Sequence, residues 1–261
     1  MQKLVTEVRQ IANKVGEFAR NERLNFKRSD VQFKSANKHD LVSYVDQHCE
    51  LQLVEALQKL EPNAGIIAEE YHSDYKEGLN WIIDPIDGTT NFVHDIPYYA
   101  ISIALAQDQE MLLGVVLEIP TGNCFHTFKG QKSYLNDDEI RVSETATLKQ
   151  ALLSTGFSVK SHDKLEQNLE LLHYWISNSR GIRRLGSAAL DLCYLAKGSF
   201  DAFYETGLKA WDVAAGSLIV QNAGGRISTF SGGKNFVFGN EILASNPHLF
   251  DELSEIYLQK G

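Results

Sequence analysis

The sequence predicts an α+β fold, on three observations. Two amphipathic helical patterns open the chain, short apolar strands broken by turn residues follow, and beyond about residue 150 strands alternate with helices. Leu4, Val8, Ile11, Val15 and Phe18 fall on one face and predict a helix over 4–19. Residues 30–38 are polar and short and fit a flexible hairpin. A second helix opens at Asp40 in Asp40-Leu41-Val42-Ser43-Tyr44-Val45-Asp46. Val42, Val45, Cys49, Leu53, Leu57 and Leu60 recur at helical spacing, and Pro62-Asn63-Ala64-Gly65 ends it. Residues 66–68, 81–83, 98–106, 111–119 and 123–128 read as strands, the later ones as an antiparallel meander turning at Thr121-Gly122.

In the second half, 151–153 is strand-like, and Leu165, Leu169, Leu172 and Ile176 mark a helix. A short strand at 181–185, a helix at 187–197 and a strand at 200–204 follow. The helix at 212–222 stops at Ala223-Gly224-Gly225, ahead of strands at 226–230 and 242–244 and a last helix from Pro247. With no linker, low-complexity tract or repeat, the pattern predicts an N-terminal subdomain over 1–145 and a C-terminal one over 146–261, with a cleft between them.

Composition narrows the function. A hydrophobic content of 43% with 23% charged residues is that of a folded globular enzyme. A net charge of -9 argues against a general nucleic-acid binder and against direct nucleic-acid contacts, which need clustered Lys and Arg. It leaves room for a small anionic substrate if a bound metal reverses the local field. Cys49, Cys124 and Cys193 are far apart and form no CxxC pair, so neither a disulfide framework nor a thiolate zinc site is expected. No run reaches the roughly 18 apolar residues of a membrane span, and a cytoplasmic setting is the simplest expectation.

Carboxylates stand at the ends of predicted elements: Glu69-Glu70, Asp84 and Asp87, Asp212, and Asp46 early in a helix. Hard oxygen ligands of this kind suit Mg²⁺ or Mn²⁺. Each acid also has an ordinary role. Asp212 can cap the helix that follows it, Glu69-Glu70 can be a solvated pair, Asp46 can be surface, and Asp84-Pro85 and Asp87-Gly88 can open and close a turn. The segment Asp84-Pro85-Ile86-Asp87-Gly88-Thr89 favours the metal reading. Pro85 fixes the backbone so that Asp84, the Ile86 carbonyl and Asp87 can point to one side. Gly88 and Thr89 then leave free amides at a helix start, where phosphate can sit.

Three blocks carry a family resemblance: Ile66-Ile67-Ala68-Glu69-Glu70, residues 81–92, and Trp211-Asp212-Val213-Ala214-Ala215-Gly216 with Gly224-Gly225 beyond. With the block opening at Asp40 and with Leu185-Gly186-Ser187-Ala188-Ala189, the chain resembles the inositol monophosphatase family of metal-dependent phosphatases over almost its whole length. The resemblance implies a layered α/β/α/β/α sandwich, a homodimer and sensitivity to Li⁺. It also implies two or three Mg²⁺ ions per site: one on Glu69, Asp84 and the Ile86 carbonyl, a second on Asp84, Asp87 and Asp212, and a third near Glu69. Thr89 with Asp46 would orient the attacking water, and the amides of Gly88 and Thr89 would hold the phosphate. Two ions about 3.5–4 Å apart are suited to an in-line displacement. The chain departs from the family at Ser43, where Thr is usual, and the basic residue expected upstream is Lys34 or Lys38.

Glu205, seven residues before Asp212, matches the family position that accepts a hydroxyl of the inositol ring. Inositol 1-phosphate is therefore the expected small phosphorylated substrate, with Gly186, Ser187 and Ala188 lining its pocket. Arg183 and Arg184 reach the same pocket, a dimer contact or plain surface. Fructose 1,6-bisphosphate, histidinol phosphate and 3′-phosphoadenosine 5′-phosphate are the alternatives. Haloacid-dehalogenase-type phosphatases need a nucleophilic Asp two residues before the second acid, where this chain has Pro85. A role as a binding partner of transcription or RNA machinery, known for some bacterial relatives, is the alternative of another kind.

Overall fold

Alternate residues of the central strands enter two different cores, and that alternation builds the layers. The computed structural model describes residues 1–26, 31–33, 41–70, 75–157 and 165–260. Helix α1 (Gln2–Asn25) leads to strands β1 (Val31–Phe33) and β2 (Leu41–Ser43), helix α2 (Tyr44–Leu60), strands β3 (Gly65–Ala68) and β4 (Leu79–Asp87), and the short helix α3 (Thr89–His94). Strands β5 (Ala100–Gln107), β6 (Glu110–Glu118), β7 (Cys124–Phe128), β8 (Ser133–Leu135) and β9 (Asp138–Ile140) complete a seven-stranded sheet in the order β3-β4-β5-β6-β7-β8-β9. Its β3–β4 pair is parallel, and β4 pairs antiparallel with β5.

The second half adds β10 (Leu152–Thr155), α4 (Leu165–Asn178), β11 (Gly181–Arg183), α5 (Ala188–Ala196), β12 (Ala202–Thr206), α6 (Ala210–Asn222), β13 (Arg226–Ser228), β14 (Glu241–Ser245) and α7 (Pro247–Lys260). These strands form a five-stranded sheet in the order β11-β10-β12-β14-β13, parallel from β11 to β12 and antiparallel beyond.

In β4, Trp81 and Ile83 pack with Val8, Val15, Cys49 and Leu53 of α1 and α2, whereas Ile82 faces α5 and α6. Trp81 and Ile83 are each fully buried, and each such side chain contributes about 1.5–3 kcal/mol. Phe203 and Ala244 of the five-stranded sheet reach the same α5–α6 layer from the other side. Leu153, Tyr204 and Leu243 turn outward to Trp175 of α4 and Leu249 and Tyr257 of α7. The result is an α+β sandwich of five layers: α1–α2, the seven-stranded sheet, α5–α6, the five-stranded sheet, and α4–α7.

A glycine sets the middle layer. A Cβ on Gly114 of β6 would lie 2.7 Å from the Ala215 carbonyl oxygen, so α6 rests directly on the sheet. Ser102 of β5 donates to the Trp211 carbonyl at 3.0 Å and fixes where that helix begins. Its first turn, with Asp212, is thereby held near the end of β4.

The structure corrects several expectations. The second helix begins at Tyr44, because Leu41–Ser43 pairs antiparallel with β1, and that pairing overrides the local helical spacing. Asp40, Lys34 and Lys38 lie outside the described residues. The acidic segment is no free turn: β4 runs through Pro85 to Asp87, with a register shift between Asp84 and Asp87. Strands β8 and β9, three residues each, were not anticipated. The predicted face of α4 is misplaced. Leu169 and Ile176 are 52% and 62% exposed, while Leu171 and Trp175 are buried, Trp175 packing on Tyr204 and Tyr257.

Candidate metal centre

The register shift at the end of β4 turns two acids of one strand toward the start of α6. Carboxylate oxygens of Asp84, Asp87 and Asp212 come within 4.8 Å of one another. Asp84 is 1% exposed, and its Oδ1 accepts from the Ile86 amide at 3.0 Å. Asp87 Oδ2 accepts from Ser187 Oγ at 2.6 Å and from the Ala189 amide at 2.7 Å. Asp212 stands in the first turn of α6, where its Oδ2 accepts from the Lys209 amide at 2.6 Å. Asp212 is thus not the N-cap, which is Lys209, but the third residue of the helix reaching back to the N-cap amide, while its carboxylate also joins the cluster.

Electrostatics show what the cluster lacks. Burial, followed by the charges of Glu69, Asp87, Asp212 and Asp46, pushes Asp84 well above the usual carboxylate range. Burial raises Asp87 to about 6, although the bonds from Ser187 and Ala189 pull it down. Burial and then Asp87 raise Asp212 to about 8. Among the described residues no Lys or Arg forms an ion pair with these three acids. Buried like charges without an ion-paired partner are costly, and an oxygen-only donor set of this kind fits a hard divalent cation.

Glu69, half-buried just past β3, stands outside the three-acid cluster but raises the affinity of all three for protons. Just beyond the end of β4, Thr89 Oγ1 is shared between Asp46 Oδ1 and the Ile86 carbonyl, at 3.1 Å to each. Asp46 is fully buried in the first turn of α2, so its surface reading is overturned. Gly88 precedes α3 with φ 95°, and a Cβ there would come within 3.1 Å of the Gly186 and Tyr98 carbonyl oxygens. The close approach of these two segments requires the glycine.

Next to the acids lies a cavity of about 120 Å³, walled by Asp87, Ser187, Ala188, Arg184 and Glu205 among others. Arg184 is thus placed at the site, and its charge draws the carboxylates of Asp87, Asp191 and Glu205 down. Burial keeps Glu205 well above the usual range, with Asp191 adding to it. Gly186, Ser187, Ala188, Arg184 and Glu205 all line this cavity, next to Asp87 and Asp212.

Others were missed. Asp191, 1% exposed on α5, lines the cavity and accepts from Tyr98 Oη at 2.9 Å. Gly156 faces Glu205 so closely that any Cβ would overlap its carboxylate. Asn91 Nδ2 donates to the Tyr98 and Leu185 carbonyls, both at 2.7 Å, and ties α3 to the Gly186 loop. Glu50 Oε2 accepts from the Glu70 amide at 2.8 Å. For Asn91, its place inside residues 81–92 was the available signal. The other three depend on contacts with distant parts of the chain.

The sequence profile of the inositol monophosphatase family matches residues 1–259. The chain is 40% identical over 220 residues to the Nus factor SuhB of Pseudomonas aeruginosa, covering 82% of this chain and 81% of that protein. Its fold is similar to that of the extragenic suppressor protein suhB from Bartonella henselae, with a TM-score of 0.89 at 33% identity, covering 97% of this chain and 96% of that one. The inositol monophosphatase from Anabaena (Nostoc) sp. PCC 7120 gives the same TM-score of 0.89 at 28% identity, covering 100% and 97%. A match across nearly the full length, on a fold that gathers the acids into one cluster, makes this chain a member of the inositol monophosphatase family, a metal-dependent family.

Proposed function

We propose that the protein is a Mg²⁺-dependent phosphomonoesterase that hydrolyses inositol 1-phosphate to inositol and phosphate. The observation that carries this reading is the approach of Asp84, Asp87 and Asp212 to within 4.8 Å, with no Lys or Arg ion-paired to them among the described residues. In this reading Glu69, Asp84 and the Ile86 carbonyl hold one ion, and Asp84, Asp87 and Asp212 hold a second. Mg²⁺ bound there would lower the pKa of a water and neutralise phosphoryl charge. The chain's own groups do the rest. Thr89 donates to Asp46, which leaves a lone pair of Oγ1 free to accept from the attacking water and orient it. The amides of Gly88 and Thr89 bind phosphoryl oxygens. Ser187 and Ala189 hold the Asp87 carboxylate in place from the α5 side.

The leaving group then occupies the cavity beside Glu205, whose carboxylate accepts from a polyol hydroxyl. Gly186, Ser187 and Ala188 line it, and Arg184 closes one side. Two or three ions per site, a homodimer and competition by Li⁺ belong to the same proposal and rest on the family likeness. The test is phosphate release from inositol 1-phosphate, fructose 1,6-bisphosphate, histidinol phosphate and 3′-phosphoadenosine 5′-phosphate, each with Mg²⁺ and with EDTA. Mg²⁺-dependent release, fastest with inositol 1-phosphate, is expected. Preference for another of the four would replace the substrate, and no release from any would refute the enzymatic reading.

A second reading is favoured by the name Nus factor carried by relatives such as the SuhB of Pseudomonas aeruginosa. It makes the chain a binding partner of transcription machinery. A D87N protein without turnover that still restored a deletion strain would support it, and failure to restore would favour catalysis.

A further inference from the structure

Helix α2 carries two buried acids one turn apart, and each holds a different loop of the candidate metal centre. Asp46 and Glu50 are both fully buried, and their four-residue spacing puts them on the same face of the helix. Asp46 meets Thr89, beyond the end of β4. Glu50 Oε2 accepts from the Glu70 amide at 2.8 Å, just beyond the end of β3 and next to Glu69. The two strands are parallel neighbours and leave the sheet at the same edge, so a single helix can reach both exits. Helix α2 is itself fixed to that sheet: Cys49, Leu53 and Leu57 are fully buried in the core that contains Trp81 and Ile83.

We infer that Glu50 is a positioning residue for the metal centre, which holds the Glu69–Glu70 turn so that Glu69 faces Asp84. The inference rests on the metal-cage reading proposed above. Glu50 touches neither substrate nor ion in it. Its contribution is reach: a carboxylate oxygen placed where the Glu70 amide points. Partners of this outer kind set ligand orientation, and their loss weakens metal binding roughly 10- to 100-fold.

Two substitutions separate reach from charge. E50D keeps the charge but is shorter by one carbon–carbon bond, about 1.5 Å, which takes its oxygens out of hydrogen-bond range of the Glu70 amide. E50Q keeps the length and an acceptor oxygen but loses the charge. The measurement is Mn²⁺ affinity of the full chain by titration calorimetry, with circular dichroism on each variant. E50D is expected to bind Mn²⁺ roughly 10- to 100-fold more weakly than wild type, and E50Q to bind as wild type does. Unchanged affinity in E50D overturns the inference. So does weakened binding in E50Q, which would make charge the operative property. Wild-type protein that binds no Mn²⁺ refutes the cage itself and this role with it. Should E50D fail to fold, hydrogen exchange at the Glu70 amide of E50Q decides, since protection is expected and rapid exchange overturns the assignment.

Discussion

Replacing Asp87 with Asn removes one negative charge from the acidic cluster while keeping an acceptor for Ser187 and Ala189. Asp87 has its pKa raised from 3.8 to about 6, chiefly by burial. A carboxyl raised in the folded state contributes stability below its unfolded pKa and loses it as pH rises through the folded one. Metal-free wild type should therefore lose stability between about pH 4 and pH 6 through this group alone. A shift of about two pH units corresponds to about 3 kcal/mol. At pH 8 in EDTA, D87N escapes that penalty, and for a chain of this size its melting temperature should rise by roughly 6–12 °C. With Mg²⁺ the order should reverse. Wild type gains about 2.7 kcal/mol when the ion is at a hundred times its Kd, whereas D87N gains little and shows no turnover. The assay is a thermal melt of both proteins at pH 5 and pH 8, with EDTA and with Mg²⁺. A D87N protein that melts below wild type in EDTA at pH 8, or gains as much from Mg²⁺, would refute the view of Asp87 as a strained ligand.

Other substitutions probe other parts of the site. T89V removes the hydroxyl shared between Asp46 and the Ile86 carbonyl, and kcat for phosphate release should fall roughly 10²-fold or more while the Mg²⁺-induced rise in melting temperature persists. G156A drives a methyl group into the Glu205 carboxylate, so KM for a polyol phosphate should rise roughly tenfold or more, with turnover of p-nitrophenyl phosphate unchanged. S187A deletes both the cap of α5 and the donor to Asp87, and thermal melts should show a loss of about 1 kcal/mol.

Much of the site was legible because its residues are close in sequence. Asp84, Ile86, Asp87, Gly88 and Thr89 sit within one strand exit, and their mutual geometry follows from a few backbone torsions. Asp212 was legible through its position at a helix start. The burial of Asp46 could not be read from α2 alone, since it depends on Thr89 arriving 43 residues later. Glu50, Asp191 and Gly156 were invisible for the same reason: their partners lie 20, 93 and 49 residues away. In the fold, α1 was readable from its apolar period, and α6 from the Ala223-Gly224-Gly225 stop although it is buried nearly all round. The face of α4 was not, because Trp175 is drawn in by Tyr204 and Tyr257, aromatic partners from β12 and α7.

The central claim is that the clustered acids hold divalent ions, and diffraction from crystals soaked in Mn²⁺ tests it most directly. An anomalous difference map should show one peak bounded by Asp84, Asp87 and Asp212 and another between Asp84, Glu69 and the Ile86 carbonyl. Full occupancy of the soaked crystal elsewhere, with no peak among these residues, would contradict the account.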